Sequence, residues 1–272
     1  MDWFVLFVIY AVFPLILGTY IGSFLNVVII RAPLQESFAK GRSHCMTCGK
    51  TLKWYHMIPV LSWLFLRGKC GYCKAKISCQ YPLVELLNGI AWASLSYYMN
   101  VACGGIENSP IGFSIKCILY MIASSVLIVI SGIDIKIFEI PYTTNIILTV
   151  LGIIALVTDL ENWQLYVIGM VSVGGLLFLI QLISKGRAMG GGDVFLMAAA
   201  GLLLGWKNII LAFVIGCIIG SVIHITIMKV KESKGEEADN MLPFGPYLAS
   251  GIFVSMLFGD AIIKWYLEFL GL

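Results

Sequence analysis

The sequence predicts an all-α polytopic membrane protein of about eight transmembrane helices, with a cytoplasmic zinc-ribbon-like loop between the first and second. Three observations carry that reading. The 272-residue chain has a mean hydropathy of +0.94 with 12% charged residues, far more apolar surface than an ordinary soluble domain carries. Apolar runs of roughly 20 residues, enough to cross ~30 Å of hydrocarbon as a helix, recur along it. Those runs are continuous and do not alternate every second residue, which favours helices over a barrel.

The first run, 4–30, lacks a basic leader and outlasts the apolar stretch of a secretion signal, so it reads as a retained span. Residues 31–81 form the one hydrophilic block long enough for a separate subdomain. Further spans are expected near 83–101, 114–133, 142–158, 164–184, 192–205, 208–228 and 244–264. The sixth is short, rich in Ala and Gly, and takes its start from Gly190-Gly191-Gly192. The organisation expected is a first helix (1–30), a metal-binding loop (31–81), a second helix with an external loop (82–113) and a membrane domain (114–272). Lys229 to Asn240, with charges of both signs, reads as a solvated loop.

Lys and Arg placement orients the chain in its lipid bilayer. Nine of the eighteen lie between Arg31 and Lys76, and six more fall in loops on the same side of an eight-span arrangement; only Lys116, Lys207 and Lys264 lie opposite. The 31–81 loop is therefore expected in the cytoplasm. The net charge of +3 reports topology, and no basic tract interleaved with aromatics argues for nucleic acid.

Cys45-x2-Cys48, 21 residues, then Cys70-x2-Cys73 are two CxxC knuckles at zinc-ribbon spacing. Each tight turn offers two thiolates, with Gly49 and Gly71 expected to ease the turns. Four thiolates around Zn2+ make a closed, structural site that supplies folding energy to a loop with little core of its own. Disulfides are the rival, but they are rare in a reducing compartment. Cys79, Cys103, Cys117 and Cys217 fall outside the pattern and read as small packing residues.

Two carboxylates stand where a membrane discourages them. Asp193 follows Gly190-Gly191-Gly192, and Asp134 ends the run Ile118 to Ile133. Two acids held together can share one proton, so that one activates water while the other donates to a carbonyl or leaving amine. The glycines let a substrate backbone approach. At this level a helix cap and an ion-pathway acid of a transporter stay open. Glu85, near the start of the second span, reads as an acid favoured by the helix dipole or snorkelling to the surface.

Taken in order, several motifs resemble the prepilin leader peptidases, the bifunctional type IV prepilin peptidase/N-methyltransferases of bacterial pilus, type II secretion and competence systems. The resemblance spans nearly the whole chain: Gly22 to Pro33 around Asn26 and Arg31, the paired CxxC knuckles, Ile58-Pro59 with Leu61-Ser62-Trp63, Arg67 to Cys70, Tyr81 to Glu85, Asp134 followed by Ile140-Pro141, Gly190 to Asp193 as GxGD, and Pro243 to Tyr247. It implies a multi-pass enzyme of the cytoplasmic (inner) membrane, its active site facing the cytoplasm. Such an enzyme cuts the basic leader from prepilins and pilin-like proteins, then methylates the new N-terminus with S-adenosylmethionine. By resemblance Asp134 and Asp193 are the catalytic pair, Gly190, Gly191 and Gly192 the supporting loop, and 31–81 with its flanking helices the methyltransferase part. No Gly-rich Rossmann turn is present, so Asn26, Arg31 and Glu85 are the polar candidates for the cofactor. Two positions depart from the pattern: Phe195, where a lysine is common, and Tyr142, where an acid is common. A polytopic transporter or assembly chaperone with a zinc docking loop is the alternative.

Overall fold

The computed structural model describes residues 3–37, 43–102, 114–187, 189–233 and 243–271. Cys103 and most of the Lys229–Asn240 loop lie outside them. Among the described residues the regular elements are helices, and the loop adds turns and two isolated β-bridges. Eight long helices follow one another: α1 Trp3–Arg31, α2 Gln80–Tyr97, α3 Ile115–Ile137, α4 Tyr142–Thr158, α5 Trp163–Ile183, α6 Gly191–Leu204, α7 Trp206–Ser233 and α8 Gly245–Phe269. Five runs are long and apolar enough to cross a membrane: α1, α3, α7, α8 and α5 with its leading turn, Leu160–Ile183. α4 and α6 are shorter apolar helices.

α1 contains a π-helical turn at Val8–Val12 just before Pro14. Proline has no N–H to offer the preceding turn, and a locally widened helix accommodates that missing bond.

The chain forms two compact units, Met1–Val129 and Ile130–Leu272, with the division inside α3. In the first unit α1 and α2 pack through small residues. A Cβ on Gly18 would stand 2.9 Å from Gly89 Cα, and one on Gly22 2.7 Å from Glu85 Cα, so Gly18-x3-Gly22 brings the two backbones together. Polar side chains then bond where hydrocarbon offers no water. Asn88 Nδ2 donates to the Gly18 carbonyl at 2.8 Å, Ser125 Oγ to Asn88 Oδ1 at 2.8 Å, and Trp92 Nε1 to Ser125 Oγ at 2.9 Å. On the other side of α2, Leu83, Leu86, Leu87 and Ile90 are exposed at helical spacing, an outward apolar face for lipid.

The second unit uses the same device more severely. A Cβ on Gly169 of α5 would clash with the Gly201 carbonyl of α6, and one on Gly174 would lie 2.7 Å from Ala198 Cβ. Gly152 lets α4 approach Leu202, and Gly251 lets α8 approach the Ala212 backbone of α7. These contacts fix α6 between its neighbours and thereby place its first turn. That turn carries Asp193.

Candidate active site and metal centre

Asp134 lies in the last turn of α3 and is 5% exposed. Its Oδ2 accepts a 2.9 Å hydrogen bond from the backbone N–H of Gly245, the first residue of α8. An unbonded N–H at a helix start is a natural partner for a carboxylate, both as a donor and through the helix dipole. A side chain at 245 would put its Cβ 2.8 Å from that same Oδ2, so the position requires glycine.

Asp193 is the third residue of α6 and is half-buried. Gly190, not Asp193, occupies the N-cap position. The three glycines answer to separate neighbours. A Cβ at Gly192 would fall 2.9 Å from Ile140 Cβ, at Gly191 3.3 Å from Gln181 Nε2, and at Gly190 3.5 Å from Asp193 Oδ2. None of the three has positive φ. Close approach is therefore what the loop demands, and the left-handed backbone that a glycine run also permits is not used. Asn145 of α4 ties the turn down, its Nδ2 donating to the Gly192 carbonyl at 3.2 Å.

Within this unit the two acids are near enough for the charge of Asp134 to act on Asp193. The residues at which the sequence departs from the family pattern also meet: the Tyr142 and Phe195 rings are 5.7 Å apart and tilted by 55°, both exposed, with Phe195 two residues beyond Asp193. Gly245 and Asn145 escaped the sequence reading. Gly245 stood inside a quoted motif, but nothing local says which side chain its N–H will serve.

The four loop thiols converge, all four Sγ atoms lying within 4.8 Å of one another. Cys45 and Cys73 sulfurs are 3.8 Å apart, close to the edge of about 3.8 Å for a tetrahedron with Zn–S bonds of about 2.3 Å. No described cysteine is in a disulfide. The N–H groups of Cys48 and then Thr47 bring the Cys45 thiol down to about 6, toward the thiolate a metal requires. At Cys73 the Ala75 N–H is outweighed by burial and the neighbouring thiols, which push it up to about 11. The four sulfurs therefore do not ionise alike, and it is their geometry that makes the ligand set. The donor set thus fits Zn2+.

The two knuckles repeat one pattern. Cys45 N–H bonds to the Lys50 carbonyl and Cys70 N–H to the Ala75 carbonyl, while Gly49 and Lys74 N–H groups return to the Cys45 and Cys70 carbonyls. Gly49 (φ +68°) and Lys74 (φ +60°) hold equivalent left-handed positions. The expectation that Gly71 serves the turn in the same way is corrected. Its φ is not positive, and it is small because a Cβ would stand 3.0 Å from the His56 ring.

Asn26, Arg31 and Glu85 all fall at the loop end of α1 and α2. Asn26 is fully buried, its Nδ2 donating to the Tyr81 carbonyl at 3.0 Å and its Oδ1 accepting from Gln80 at 3.4 Å. Arg31 donates to the Ser37 carbonyl at 2.9 Å. Glu85 accepts the Val60 N–H at 2.7 Å. Its reading as an acid at the helix start is corrected, because α2 begins at Gln80 and has no acid in its first turn. The side chain instead clamps the loop. Cys117 is fully buried against Asn100 and Met121, as a packing cysteine should be.

The Bacterial Peptidase A24 N-terminal domain matches residues 16–99 and the Type IV leader peptidase family residues 121–225. A prepilin leader peptidase/N-methyltransferase of Stutzerimonas stutzeri is 31% identical, over 94% of this chain and 93% of its own. The chain belongs to the type IV leader peptidase family. Its Bacillus subtilis relative of the same name is 32% identical over 93% of this chain and 96% of its own, and that of Pseudomonas aeruginosa 29% over 94% and 93%. No solved structure matches. In this leader peptidase family member, the first matched region contains the cysteine loop and the second contains both acids.

Proposed function

We propose that this family member is a membrane aspartic endopeptidase that removes the basic leader from prepilins and pilin-like proteins, then N-methylates the new N-terminal residue with S-adenosylmethionine. The observation that carries the proposal is the pairing of Asp134, bonded to the first N–H of α8, with Asp193 in the first turn of α6, in a chain whose relatives bear both activities in their name. Those relatives favour a peptidase over the transporter or assembly-chaperone alternative.

The pair shares one proton and titrates as a unit. The ionised member takes a proton from water, whose oxygen attacks the scissile carbonyl carbon. The protonated member donates its proton to the carbonyl oxygen, which gives a gem-diol. The C–N bond then breaks as the amine nitrogen takes the proton that came from water, and a gem-diol proton returns to the other acid, leaving the new carboxylic acid and a dyad with one proton again. The Gly245 N–H holds Oδ2 of Asp134 in place, Asn145 holds the turn before Asp193, and Gly190 to Gly192 leave the substrate backbone room to approach. In this reading all eight long helices span the cytoplasmic membrane, the 31–81 loop and both aspartates face the cytoplasm, and the prepilin's apolar helix lies in the bilayer with its leader outside it. Cys45, Cys48, Cys70 and Cys73 hold structural Zn2+, which fixes the loop. S-adenosylmethionine supplies an electrophilic methyl group. Asn26, Arg31 and Glu85 shape the loop end of α1 and α2 where that cofactor would bind, and proximity does most of the work of transfer to a neutral amine.

The test is co-expression with a prepilin and mass measurement of the mature N-terminus. Wild type should give a shortened, singly methylated chain, and Asp134→Asn or Asp193→Asn the intact precursor at equal expression. Full processing by Asp193→Asn would overturn the proposal.

A further inference from the structure

Zinc and the two aspartates leave one part of the loop unexplained. The one-turn helix Leu61–Phe65 turns Trp63 inward, its indole N–H donating to the Ile77 carbonyl at 3.3 Å and its ring filling the space over Gly68. Leu61, Leu64 and Phe65, at i, i+3 and i+4, share the other face and are 50%, 55% and 83% exposed. A contiguous apolar face of this kind on a polar loop marks an interaction surface.

Its position says with what. Val60, just before the helix, has φ +60°, which a β-branched residue avoids unless something holds it. Glu85 holds it, through the 2.7 Å bond to the Val60 N–H. Glu85 is the sixth residue of α2, about 8 Å along that helix from its start at ~1.5 Å per residue. The Leu61–Phe65 turn is thereby tied beside a membrane helix already one turn inside its own length. Charge points the same way. Arg67 and Lys69, both exposed, follow the apolar face directly, and residues 31–81 carry nine basic side chains against one acid, Glu36. Such a surface attracts an anionic partner. Aromatic and aliphatic side chains flanked by Lys and Arg are the composition of interfacial anchors.

We propose that Leu61–Phe65 is a membrane-docking elbow. Leu61, Leu64 and Phe65 enter the acyl boundary of the same bilayer that holds α1 and α2, while Arg67 and Lys69 bind anionic phospholipid headgroups. The elbow fixes the zinc knuckles at the membrane surface, since Leu66 and His56 both pack on Gly71 between Cys70 and Cys73. The proposal rests on the membrane reading of α1 and α2 and is independent of the catalytic aspartates.

The full chain carrying Phe65→benzoylphenylalanine, reconstituted in nanodiscs of equal phosphatidylglycerol and phosphatidylcholine, tests it by photocrosslinking and mass spectrometry. Lipid adducts at position 65 are expected, with phosphatidylglycerol in excess. Each basic residue near an anionic surface is worth about fivefold in partition, so adding Arg67→Gln and Lys69→Gln should cut that excess about fivefold or more. Retained zinc certifies a folded loop, and a probe at Leu64 replaces one at 65 that loses the metal. Crosslinks to protein, an absence of lipid adducts, or equal yields of the two lipids unaffected by the charge changes would each overturn the elbow.

Discussion

Gly245→Ala perturbs the contact that orients Asp134 without replacing either acid. The added Cβ would lie 2.8 Å from Asp134 Oδ2, 3.2 Å from its Cγ and 3.4 Å from its Cβ, so the neighbour it meets is the carboxylate itself. To restore ordinary contact the carboxylate must withdraw by ~0.5 Å or more, stretching its 2.9 Å bond to the residue 245 N–H. A hydrogen bond to a charged group is worth about 1.5–3 kcal/mol and overpacking costs about 1–3 kcal/mol. One displacement causes both, so the two overlap and about 2–3 kcal/mol is the working figure. Expressed in the transition state, that is a ~30- to 150-fold slower cleavage. Alanine also improves the helix by up to ~1 kcal/mol over glycine, which offsets part of the loss in the folded protein but none of the misplacement. The signature is a large fall in the rate of leader removal with a small change in melting temperature, measured on purified protein in detergent with a prepilin substrate. Gly175→Ala, whose Cβ would meet only Val171 Cγ1 at 3.5 Å, serves as the silent control. Cleavage by Gly245→Ala at the wild-type rate would refute the idea that this bond positions a catalytic carboxylate.

The other predictions concern the turn, the metal, the packing and the aromatic pair. Asn145→Ala removes the Nδ2 bond to the Gly192 carbonyl and should slow leader removal ~5-fold, the equivalent of about 1 kcal/mol, with protein level unchanged. Cys45→Ser should lower bound zinc by elemental analysis while Cys117→Ser leaves it intact; equal zinc in both would remove Cys45 from the ligand set. Gly201→Ala forces a Cβ into the Gly169 backbone, where no side chain can swing away, so it should cost about 3 kcal/mol or more and be visible as a lowered melting temperature. For Tyr142 and Phe195, a double-alanine cycle on thermal stability should give a coupling of about 0.5–1.5 kcal/mol; additive effects would mean the rings do not interact.

Much of this molecule is legible along the chain, for a definite reason. Hydropathy is a local property, and a bilayer converts each long apolar run into a helix because an unbonded backbone is too costly there. The runs near 4–30, 114–133, 164–184, 208–228 and 244–264 accordingly coincide with helices long and apolar enough to cross. Two CxxC pairs carry their own geometry in their spacing, so the thiol cluster was foreseeable too. The acids were conspicuous because a membrane makes any acid conspicuous.

Only the tertiary structure decided what each of these groups faces. That Asp134 meets Gly245 across 111 positions, that Asn145 holds Gly192, that Glu85 clamps Val60 and that Tyr142 lies on Phe195 all depend on which helix faces fit together. Those fits are set by where glycine lets one backbone touch another, as Gly169 does with Gly201, and such contact is a property of two surfaces at once. Composition and spacing describe one stretch of chain at a time. They could mark Asp134 and Asp193 as unusual, whereas packing alone could set the Asp134 carboxylate on the first N–H of α8 within reach of the charge of Asp193.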